Sequence, residues 1–356
     1  MKKQLLVDLS SLKNIYSGLG QIALSYGTYF KDHYKKEDAP YELTLLLPKK
    51  YFGLFGEEVH YVSSTNIIRK HVRFLFPKYD IWHSIHQLSR FRPIWKDTKF
   101  ILTIHDLNFL YERTAGARER RYRKMQKKIC RANEIVCISN FTKNEVEHNF
   151  QLNEKQCRVI YNKVTLIDKD AAQKPKHEIR EPFFFTMGII RQKKNFHVLL
   201  DMMKLLPDKH LYIVGMKADV KKNNYARHIK ERIENEQIHN VTLRGPVSHK
   251  EKIWMYQHCE AFLFPSLLEG FGLPVIEAMQ FGKPVFSSKE TSLKEIGGDF
   301  AYFWDNFNPE EMKKLIDENL TQFYQNESLA DKEKEYARSF SYEKHFEEYE
   351  ALYKTA

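Results

Sequence analysis

Short apolar runs rich in β-branched and aromatic residues alternate with amphipathic stretches along the whole chain. This alternation is typical of parallel β-sheets whose strands are joined by crossover helices. A polar stretch at 168–182, with two prolines and many charges, separates two such series. The sequence therefore predicts an α/β protein with two doubly wound Rossmann-like domains that face a cleft. The predicted strands are 4–9, 41–48, 59–63, 80–85, 99–106, 134–139, 158–162, 183–188, 210–215, 241–245, 261–266, 284–288 and 301–305.

The length of the chain supports two domains, because 356 residues exceed the usual size of one hydrophobic core. We expect a first domain at 1–167, a linker at 168–182 and a second domain at 183–338. Residues 339–356 are predicted to form a C-terminal helix that packs back toward the first domain. Hydrophobic residues make up 42% of the sequence and charged residues 29%, which indicates a folded globular protein and excludes a disordered one.

Positive charge is concentrated in the first half of the chain. Residues 1–170 contain 30 Lys and Arg against 18 Asp and Glu, whereas residues 171–356 contain 27 against 28. The first half therefore carries a net charge of +12 and the second half −1. Such asymmetry indicates an anionic partner for the first domain: a membrane surface, a phosphorylated lipid carrier or a nucleic acid.

Two basic segments are candidates for that contact. Residues 118–131 place Tyr122, Met125 and Ile129 at helical spacing among many Lys and Arg residues, which predicts a basic amphipathic helix. Residues 70–78 place three consecutive apolar side chains among cations. Together they suggest peripheral contact with anionic lipid. A solvated helix face above ordinary core residues is the alternative for both segments.

The cysteines and the first residues bear on the compartment. Cys130, Cys137, Cys157 and Cys259 show no CxxC pairing and no metal-ligand spacing, which argues against a zinc site and a disulfide framework. The first apolar run ends at Asp8 and is too short for a signal sequence or a membrane span. We therefore expect a cytoplasmic protein, with its basic segments suited to a peripheral position on the inner face of the membrane.

The most informative segment, AFLFPSLLEGFGLPVIEAMQFGKPVFSS, predicts a buried strand, a glycine-rich loop, a short helix and a second buried strand. Gly270 and Gly272 allow a tight turn, and Pro274 suits the first turn of a helix. The free amide groups at such a helix start can bind phosphate. Glu269 and Glu277 flank this point, and carboxylates accept hydrogen bonds from sugar and ribose hydroxyl groups. Either glutamate alone could equally be a solvated loop residue or a complement to the helix dipole.

Two acids separated by seven residues around a GFGLP turn resemble the motif of the retaining GT-B glycosyltransferases of family four, and the likeness covers nearly the whole chain. The resemblance implies that Glu277 holds the donor ribose and that Glu269 acts at the donor sugar as a catalytic residue. It makes 1–167 the acceptor-side domain and 183–338 the nucleotide-sugar-binding domain. The backbone expected to contact the sugar and diphosphate belongs to Gly270, Phe271, Gly272 and Leu273.

A second match to the family is FFFTMGIIRQKKNFHVLL, where a predicted strand ends at Gly188 before a basic cluster. Fixed cations at a strand end stabilise the charge that develops on a departing diphosphate. Lys194 is the catalytic candidate, with Gly188, Arg191 and Lys193 as further donor-binding residues. Family members often have an arginine directly after the glycine, whereas this chain has Ile189. An exposed lysine pair at a helix start is the alternative.

Two weaker motifs lie in the first domain. The predicted strand FILTIHDL ends near His105, which resembles the family's HD turn at the donor sugar and implies a positioning or proton-handling role. In IYSGLGQIALSYG, Gly18 and Gly20 follow the first strand and resemble the family's glycine loop, which touches donor phosphate or acceptor. A satisfied structural histidine is the alternative for His105. Ser139 in VCISNFTKNEV is predicted to be a helix N-cap.

The resemblance also implies a reaction, the transfer of a hexose from a nucleotide-diphosphate sugar to a growing glycan or lipid-linked saccharide with retention of configuration. The HDL and KN sequences favour mannosyltransferase-type members and GDP-mannose. No cofactor and no metal are expected, because the one literal DxD sequence, at 168–170, falls in the linker. With both glutamates used for binding, we favour front-face departure of the diphosphate over the double displacement of retaining glycosidases.

Other functions fit the sequence less well. A nucleic-acid-binding protein interleaves basic and aromatic residues in a recognisable module, and none is visible, so we expect no nucleic-acid partner. A sugar-nucleotide epimerase of the same fold needs acid and base groups in place of an acceptor. A glycogen-type phosphorylase needs a cofactor lysine and a much longer chain. A basic two-domain protein with a degenerate site, which binds a membrane or a nucleic acid, remains open.

Overall fold

A computed structural model describes residues 2–15, 17–65, 77–112, 114–164, 167–215 and 224–355. The chain divides into two compact units, Met1–Tyr161 with Phe346–Ala356 and Asn162–His345. Each unit contains one parallel sheet, and every predicted run overlaps an observed strand. The predicted α/β class with two doubly wound Rossmann-like domains is confirmed. Most of the basic segment at 70–78 lies outside the described residues.

The first unit is built on a sheet whose described strands are β1 (Lys3–Asp8), β2 (Tyr41–Leu47), β3 (His60–Ser63), β4 (Ile81–Ser84), β5 (Lys99–Ile104), β6 (Glu134–Cys137) and β7 (Cys157–Val159). They lie in the order β3-β2-β1-β4-β5-β6-β7, and all neighbours are parallel. The order reverses between β1 and β4, and ligands of doubly wound sheets bind at such a reversal. The segments that follow β1 and β4 are therefore placed for ligand contact.

The helices described between the strands of this unit are α1 (Gly18–His33), α2 (Phe109–Glu112), α3 (Ala115–Arg131) and α4 (Asn140–Asn149). Ser139 is the N-cap of α4 as predicted, because its Oγ accepts a hydrogen bond from Thr142 N at 3.0 Å. The predicted basic amphipathic helix is α3. Met125 and Ile129 on this helix are buried, whereas most of its Lys and Arg side chains are exposed.

The second unit repeats this plan with strands β8 (Phe183–Met187), β9 (His210–Val214), β10 (Val241–Arg244), β11 (Ala261–Phe264), β12 (Val285–Ser288) and β13 (Ala301–Trp304). The order is β10-β9-β8-β11-β12-β13 with parallel neighbours, so the reversal falls between β8 and β11. The described helices are α5 (His197–Lys204), α6 (Asn224–Asn235), α7 (His249–His258), α8 (Leu273–Gln280), α9 (Leu293–Gly297), α10 (Pro309–Gln325) and α11 (Glu327–Arg338).

The inner strands of both units are apolar runs because a parallel sheet with helices on both faces buries the side chains of its inner strands. Leu5, Leu6 and Val7 in β1 are fully buried, and so are Phe184 and Phe185 in β8. Such strands show no alternation of polar and apolar residues. Their burial leaves the ends of the strands, and the loops that follow them, as the places where polar chemistry can be presented.

The segment 168–182, predicted as a linker, belongs to the second unit. Lys169 O accepts a hydrogen bond from Gln257 Nε2 at 2.9 Å, and Gln173 N donates to Lys250 O at 3.1 Å. The boundary between the units lies before Asn162. The polar, proline-containing composition reflects an irregular backbone that packs along α7.

The last described helix is α12 (Tyr342–Lys354), and the residues from Phe346 onward belong to the first unit. There the ring of Tyr29 stacks on Phe346 at a centroid distance of 3.7 Å. Tyr349 OH lies 2.7 Å from Thr103 Oγ1, and Tyr353 OH lies 2.6 Å from His83 Nδ1. These buried contacts place the end of α12 in the core of the first unit.

Candidate active site

The sheet reversal in the second unit brings together two charged residues that the sequence separates widely. Lys194 follows β8, Glu269 follows β11, and Lys194 Nζ lies 2.5 Å from Glu269 Oε1. Their side chains are 12% and 17% exposed. Lys194 Nζ also lies 4.6 Å from the centre of the Phe264 ring. The pair is thus largely shielded from water, so its electrostatic attraction is stronger than on an open surface.

Glu269 is held by Ser266 and Thr291 as well as by Lys194. Ser266 Oγ donates to Glu269 Oε1 at 2.7 Å, and Glu269 N donates to Thr291 Oγ1 at 3.1 Å. Burial acts to raise the pKa of Glu269, but the charge of Lys194 and the hydrogen bonds from Lys194 and Ser266 outweigh it, so the pKa lies below its ordinary value. Glu269 is therefore ionised at neutral pH and fixed in orientation.

Gly188 lets Lys194 cross the end of β8. Its φ of +153° is rarely adopted by other residues, and a Cβ built at this position would lie 2.9 Å from Lys194 Cε. A side chain here would require the end of Lys194 to shift. The backbone conformation and the packed lysine together favour glycine at this predicted donor-binding position.

The loop predicted to contact sugar and diphosphate leads into α8. Gly272, at φ +102°, is the N-cap of this helix and provides no side-chain cap. Phe271 is 3% exposed, and its ring meets Phe340 edge-on at 5.6 Å. Its side chain is thus part of the core, which leaves backbone groups for a ligand. Gly270 and Leu273 are half-buried at the same loop.

Glu277 lies on α8 and contacts two side chains of α7. Lys252 Nζ lies 2.9 Å from Glu277 Oε1, and Tyr256 OH donates to Glu277 Oε2 at 3.0 Å. Burial, with the charge of Glu277 as a second cause, raises the pKa of Tyr256 well above its ordinary value, so the phenol keeps its proton. A carboxylate has about four lone-pair positions, so Glu277 retains acceptor capacity for further hydroxyl groups.

The remaining basic candidates of the second unit lie in the segment that follows β8. Arg191 is exposed and precedes the short 3₁₀ turn Gln192–Lys194. Lys193 is half-buried, and its carbonyl oxygen accepts hydrogen bonds from Ser266 Oγ at 3.1 Å and from Leu267 N at 2.7 Å. These two hydrogen bonds to the carbonyl oxygen of Lys193 connect the basic segment after β8 to the loop after β11.

The candidates of the first unit occupy the corresponding sheet reversal there. His105 is buried, and its Nε2 donates to Ile85 O at 2.7 Å, while Gln87 Oε1 accepts from its backbone N at 3.1 Å. Burial lowers the pKa of His105, against the opposing effects of Ile85 and Asp106. The imidazole is therefore neutral at pH 7 and held by the segment after β4.

The glycine loop after β1 leads into α1. Gly18 is exposed, and a Cβ built there would meet nothing within 4 Å. Gly20 is buried, and a Cβ at this position would lie 2.0 Å from Asn14 O. Ser17 caps the helix by accepting a hydrogen bond from Gly20 N at 3.1 Å. Close packing thus accounts for Gly20, whereas nothing among the described residues of this unit requires Gly18.

Sequence reasoning missed Lys252 and Tyr256. They are four residues apart on α7, so they lie on one face of the helix, but the sequence gives no sign that this face meets Glu277. The periodicity of apolar residues in α7 is weak because the helix is apolar on several sides. Its four consecutive buried residues are Ile253, Trp254, Met255 and Tyr256. Their contact with Glu277 follows from the packing of α7 beside α8.

Two families match the sequence of this chain. Residues 168–340 match "Glycosyl transferases group 1", and residues 29–166 match "Glycosyltransferase Family 4". The two matches follow one another and together take in most of the chain. The chain belongs to the family-4-like glycosyltransferases of the GT-B fold. The predicted resemblance and the predicted enzyme class are both confirmed.

Curated relatives of this glycosyltransferase include two mannosyltransferases. It is 24% identical over 330 residues to the O-antigen chain mannosyltransferase RfbU of Salmonella typhimurium, a match that spans 87% of this chain and 88% of RfbU. It is 27% identical over 157 residues to the serotype-specific mannosyltransferase WbdA of Escherichia coli, where the match spans 42% of this chain and 18% of the longer WbdA.

Solved structures share the fold of this glycosyltransferase over its full length. The sucrose-phosphate synthase of Thermosynechococcus elongatus superposes with a TM-score of 0.77 at 16% identity and covers 99% of both chains. The Anabaena protein Alr3699/HepE in complex with UDP superposes with a TM-score of 0.74 at 15% identity and covers 100% of both. At these identities the likeness establishes the GT-B fold.

Two further features of this glycosyltransferase bear on the predictions. Within the described ranges, none of the helices combines the length and the apolar character that crossing a bilayer requires. The described residues contain no group of three or more His, Cys, Asp or Glu side chains placed to hold a metal ion. The literal DxD sequence is a local cap, because Asp168 Oδ1 accepts a hydrogen bond from Asp170 N at 3.0 Å.

Proposed function

We propose that this glycosyltransferase transfers a hexose from a nucleoside-diphosphate sugar to a saccharide acceptor, with mannose as the sugar and GDP as the favoured nucleotide. The names of RfbU and WbdA support mannose and a polysaccharide product. The acceptor is then a growing glycan or a lipid-linked saccharide. The donor site comprises the loops after β8 and β11 together with the start of α8.

One observation carries the proposal: two carboxylates flank the start of α8, and each already faces an ammonium group. Glu269 pairs with Lys194, and Glu277 pairs with Lys252. Carboxylates bind the hydroxyl groups of a sugar and a ribose, whereas ammonium groups bind a diphosphate. The backbone amides at the start of α8 add to the attraction for phosphate. A nucleoside-diphosphate sugar presents both kinds of group.

The chemical roles follow from charge development during transfer. As the bond between the anomeric carbon and the diphosphate breaks, negative charge builds up on the departing oxygen. Lys194 stabilises that charge more in the transition state than in the ground state, with Lys193 and Arg191 as further cations. Glu269 orients Lys194 and accepts a hydrogen bond from a sugar hydroxyl. Glu277 accepts hydrogen bonds from the ribose.

Retention of configuration by front-face departure is part of the proposal. The carboxylate oxygen Oε1 of Glu269 is bonded to both Lys194 and Ser266, and Glu277 is bonded to Lys252 and Tyr256. Such engagement favours binding roles for both acids over nucleophilic attack. The diphosphate then accepts the proton of the acceptor hydroxyl. Lysine charge performs the stabilisation for which other transferases use a divalent ion, so the proposal includes no metal.

The donor assignment is tested by thermal unfolding in the presence of GDP, UDP, ADP and their sugar conjugates, with EDTA present throughout. A ligand at 100 times its Kd stabilises the folded protein by about 2.7 kcal/mol. We expect GDP and GDP-mannose to raise Tm, and Glu277→Ala to abolish the rise. Glu335→Ala removes an exposed glutamate of α11 and is the matched control, which should keep the response.

Stabilisation by another nucleotide, with the same loss in Glu277→Ala, would replace GDP and leave the site assignment standing. A response that survives Glu277→Ala would contradict the assigned site. The configuration of the product is read by NMR from the anomeric coupling of the transferred sugar, and an inverted product would overturn the front-face mechanism. Loss of transfer in EDTA, restored by Mg²⁺ or Mn²⁺, would contradict the metal-free proposal.

A further inference from the structure

A cavity of about 570 Å³ lies in the first unit, separate from the donor-site residues of the second unit. Its walls are the segment 87–92, which follows β4, and one face of α3, with Phe109 of α2 between them. Gln87, one of its lining residues, bonds the backbone of His105. The cavity therefore opens at the sheet reversal where ligands of this fold are expected.

Cations without acidic partners surround this cavity. Six of the side chains that line it are positively charged, and five of them form no salt bridge with any residue in the described part of the chain. By contrast, Arg123 on the same helix pairs with Glu119 at 2.6 Å. Like charges gathered without acids repel one another, and a bound anion removes that repulsion. The five are Arg90, Arg92, Arg121, Lys124 and Lys127.

Four apolar side chains also line the cavity. Phe91, Phe109 and Met125 are 8%, 7% and 4% exposed and form part of the wall, while Leu88 is 47% exposed. An exposed leucine beside a recessed apolar wall provides contact area for a hydrocarbon group. Cations and apolar side chains in one cavity match a ligand that has an anionic head and an apolar chain.

Hydrogen bonds within the protein hold the cavity wall in place. Lys128 Nζ donates to Gln87 O at 2.6 Å and also to Ser89 O. Ser89 Oγ donates to the buried carboxylate of Asp8 and accepts a hydrogen bond from Phe91 N at 3.0 Å. These bonds connect the segment after β4 to β1 and to α3. A wall that is already ordered loses little entropy when a ligand binds.

We infer that this cavity binds a single anionic amphiphile, a phosphate or diphosphate group attached to an apolar chain. The arginine and lysine side chains bind the phosphate oxygens, and Leu88 with the neighbouring wall contacts the chain. The inference that this ligand binds is drawn from the cavity alone and does not depend on the proposed function. The further step, that such a molecule carries the acceptor saccharide, rests on the proposed function.

The shape and lining favour a single amphiphile over the other anionic partners. Single-stranded nucleic acid is bound by exposed aromatic rings that stack on bases, whereas Phe91 and Phe109 are buried. A membrane surface is broad, whereas these cations converge on a recess of limited volume. A free phosphate would use the cations and leave Leu88 without a partner. Each of these partners therefore makes a distinct prediction in a binding experiment.

The test uses the full chain and titration calorimetry with three probes: farnesyl diphosphate, inorganic diphosphate and farnesol. We expect farnesyl diphosphate to bind at least tenfold more tightly than inorganic diphosphate, and farnesol to bind at least tenfold more weakly than farnesyl diphosphate. Equal affinity for farnesyl diphosphate and inorganic diphosphate would overturn the amphiphile assignment in favour of a free anion. Binding should weaken with rising salt, because the head-group contacts are ionic.

Two double variants of α3 locate the site. Arg121→Ala with Lys124→Ala removes two lining cations, and Arg120→Ala with Arg123→Ala removes two cations of the same helix that do not line the cavity. We expect the first pair to weaken farnesyl diphosphate binding at least tenfold and the second to change it less than twofold. Equal losses in the two pairs would show that net charge alone attracts the ligand, which would overturn the site.

Leu88→Asn tests the apolar contact. The variant should weaken farnesyl diphosphate binding and leave inorganic diphosphate binding unchanged, and an unchanged affinity for both would overturn the apolar half of the proposal. Circular dichroism and Tm establish that each variant is folded. Since Leu88 is 47% exposed, its replacement removes little buried area.

The last arm separates this inference from the membrane alternative and from the proposed function. Sedimentation with phosphatidylcholine vesicles that contain 30% phosphatidylglycerol, without farnesyl diphosphate binding in solution, would show a membrane surface and overturn the cavity assignment. Glu277→Ala should bind farnesyl diphosphate like the unaltered protein. Failure of farnesyl diphosphate binding with intact nucleotide stabilisation would overturn only the cavity, and the converse result would overturn only the donor site.

Discussion

Lys252 and Glu277 lie 25 residues apart in the chain and form an ion pair of 2.9 Å, with 18% and 19% of their side chains exposed. The pair joins α7 to α8 beside the proposed ribose position. Because the second carboxylate oxygen accepts from Tyr256, the plane of the carboxylate is set before any donor arrives. Lys252 is therefore a positioning residue for Glu277.

Lys252→Met should raise the KM for the donor roughly tenfold and change kcat by less than threefold, because it loosens a ground-state binding contact. The measurement is steady-state transfer with varied donor. Lys250→Met, an exposed lysine of the same helix, is the control and should change neither constant. A large fall in kcat with an unchanged KM would show that Lys252 acts on the reacting groups instead.

Lys194→Ala should lower kcat roughly 100- to 1000-fold, the usual loss for one electrostatic contact to a developing negative charge. Lys194→Arg should retain part of the activity because it retains the charge. Lys289→Ala, which removes a half-exposed lysine paired with Asp305, serves as the control. Single-turnover kinetics measure the chemical step, and a rate within threefold of the unaltered protein would disprove the assigned role.

Gly188→Ala should lower both stability and turnover. The added Cβ would lie 2.9 Å from Lys194 Cε, and φ is +153°, so we expect a cost of about 1–3 kcal/mol in the free energy of unfolding. Gly116→Ala, in a helix with nothing within 4 Å of the new Cβ, should not destabilise the protein. Urea denaturation gives both free energies, and equal values for the two variants would contradict the packing argument.

Stability should fall as the pH drops below about 6.5, in part because of His83. Burial, with the charge of His105 as a lesser cause, lowers the pKa of His83 to about 3, whereas the unfolded chain has the ordinary value of 6.5. The unfolded state therefore binds a proton in this interval that the folded state excludes. Each such proton makes the unfolding free energy fall by up to about 1.4 kcal/mol per pH unit.

Urea denaturation between pH 4 and pH 8 measures this dependence. His83→Gln should reduce the slope, and His86 should maintain part of it, because burial also lowers its pKa to about 3. His148→Gln replaces an exposed histidine and is the control for the loss of one histidine. A slope that is the same in His83→Gln and the unaltered protein would contradict the role of His83.

The strands of both sheets could be predicted because parallel strands are continuous apolar runs, and the site loops because they follow those runs. The contacts made by these residues could not be predicted. The pairing of Lys194 with Glu269 depends on the sheet order, in which β11 lies beside β8 although three helices and two strands separate them among the described residues. The succession of apolar runs along the chain does not show which strands are neighbours in the sheet.

Other features of the site depend on packing that leaves no local pattern. The buried position of His105 follows from its bonds to Ile85 and to Gln87, which lie on a neighbouring strand end. The segment 168–182 has the composition of a linker, yet its backbone bonds to α7. Composition reports how polar a segment is, and only the fold decides which surface it covers.

The first unit is made from two distant parts of the chain, and this has a consequence for synthesis. While the ribosome is translating the second unit, β1 to β7 are already outside, but the end of α12 does not yet exist. Tyr29, Thr103 and His83 then lack the partners Phe346, Tyr349 and Tyr353. The nascent first unit therefore lacks these contacts until residues 346–353 have left the ribosome, and chaperone contact is expected there throughout that interval.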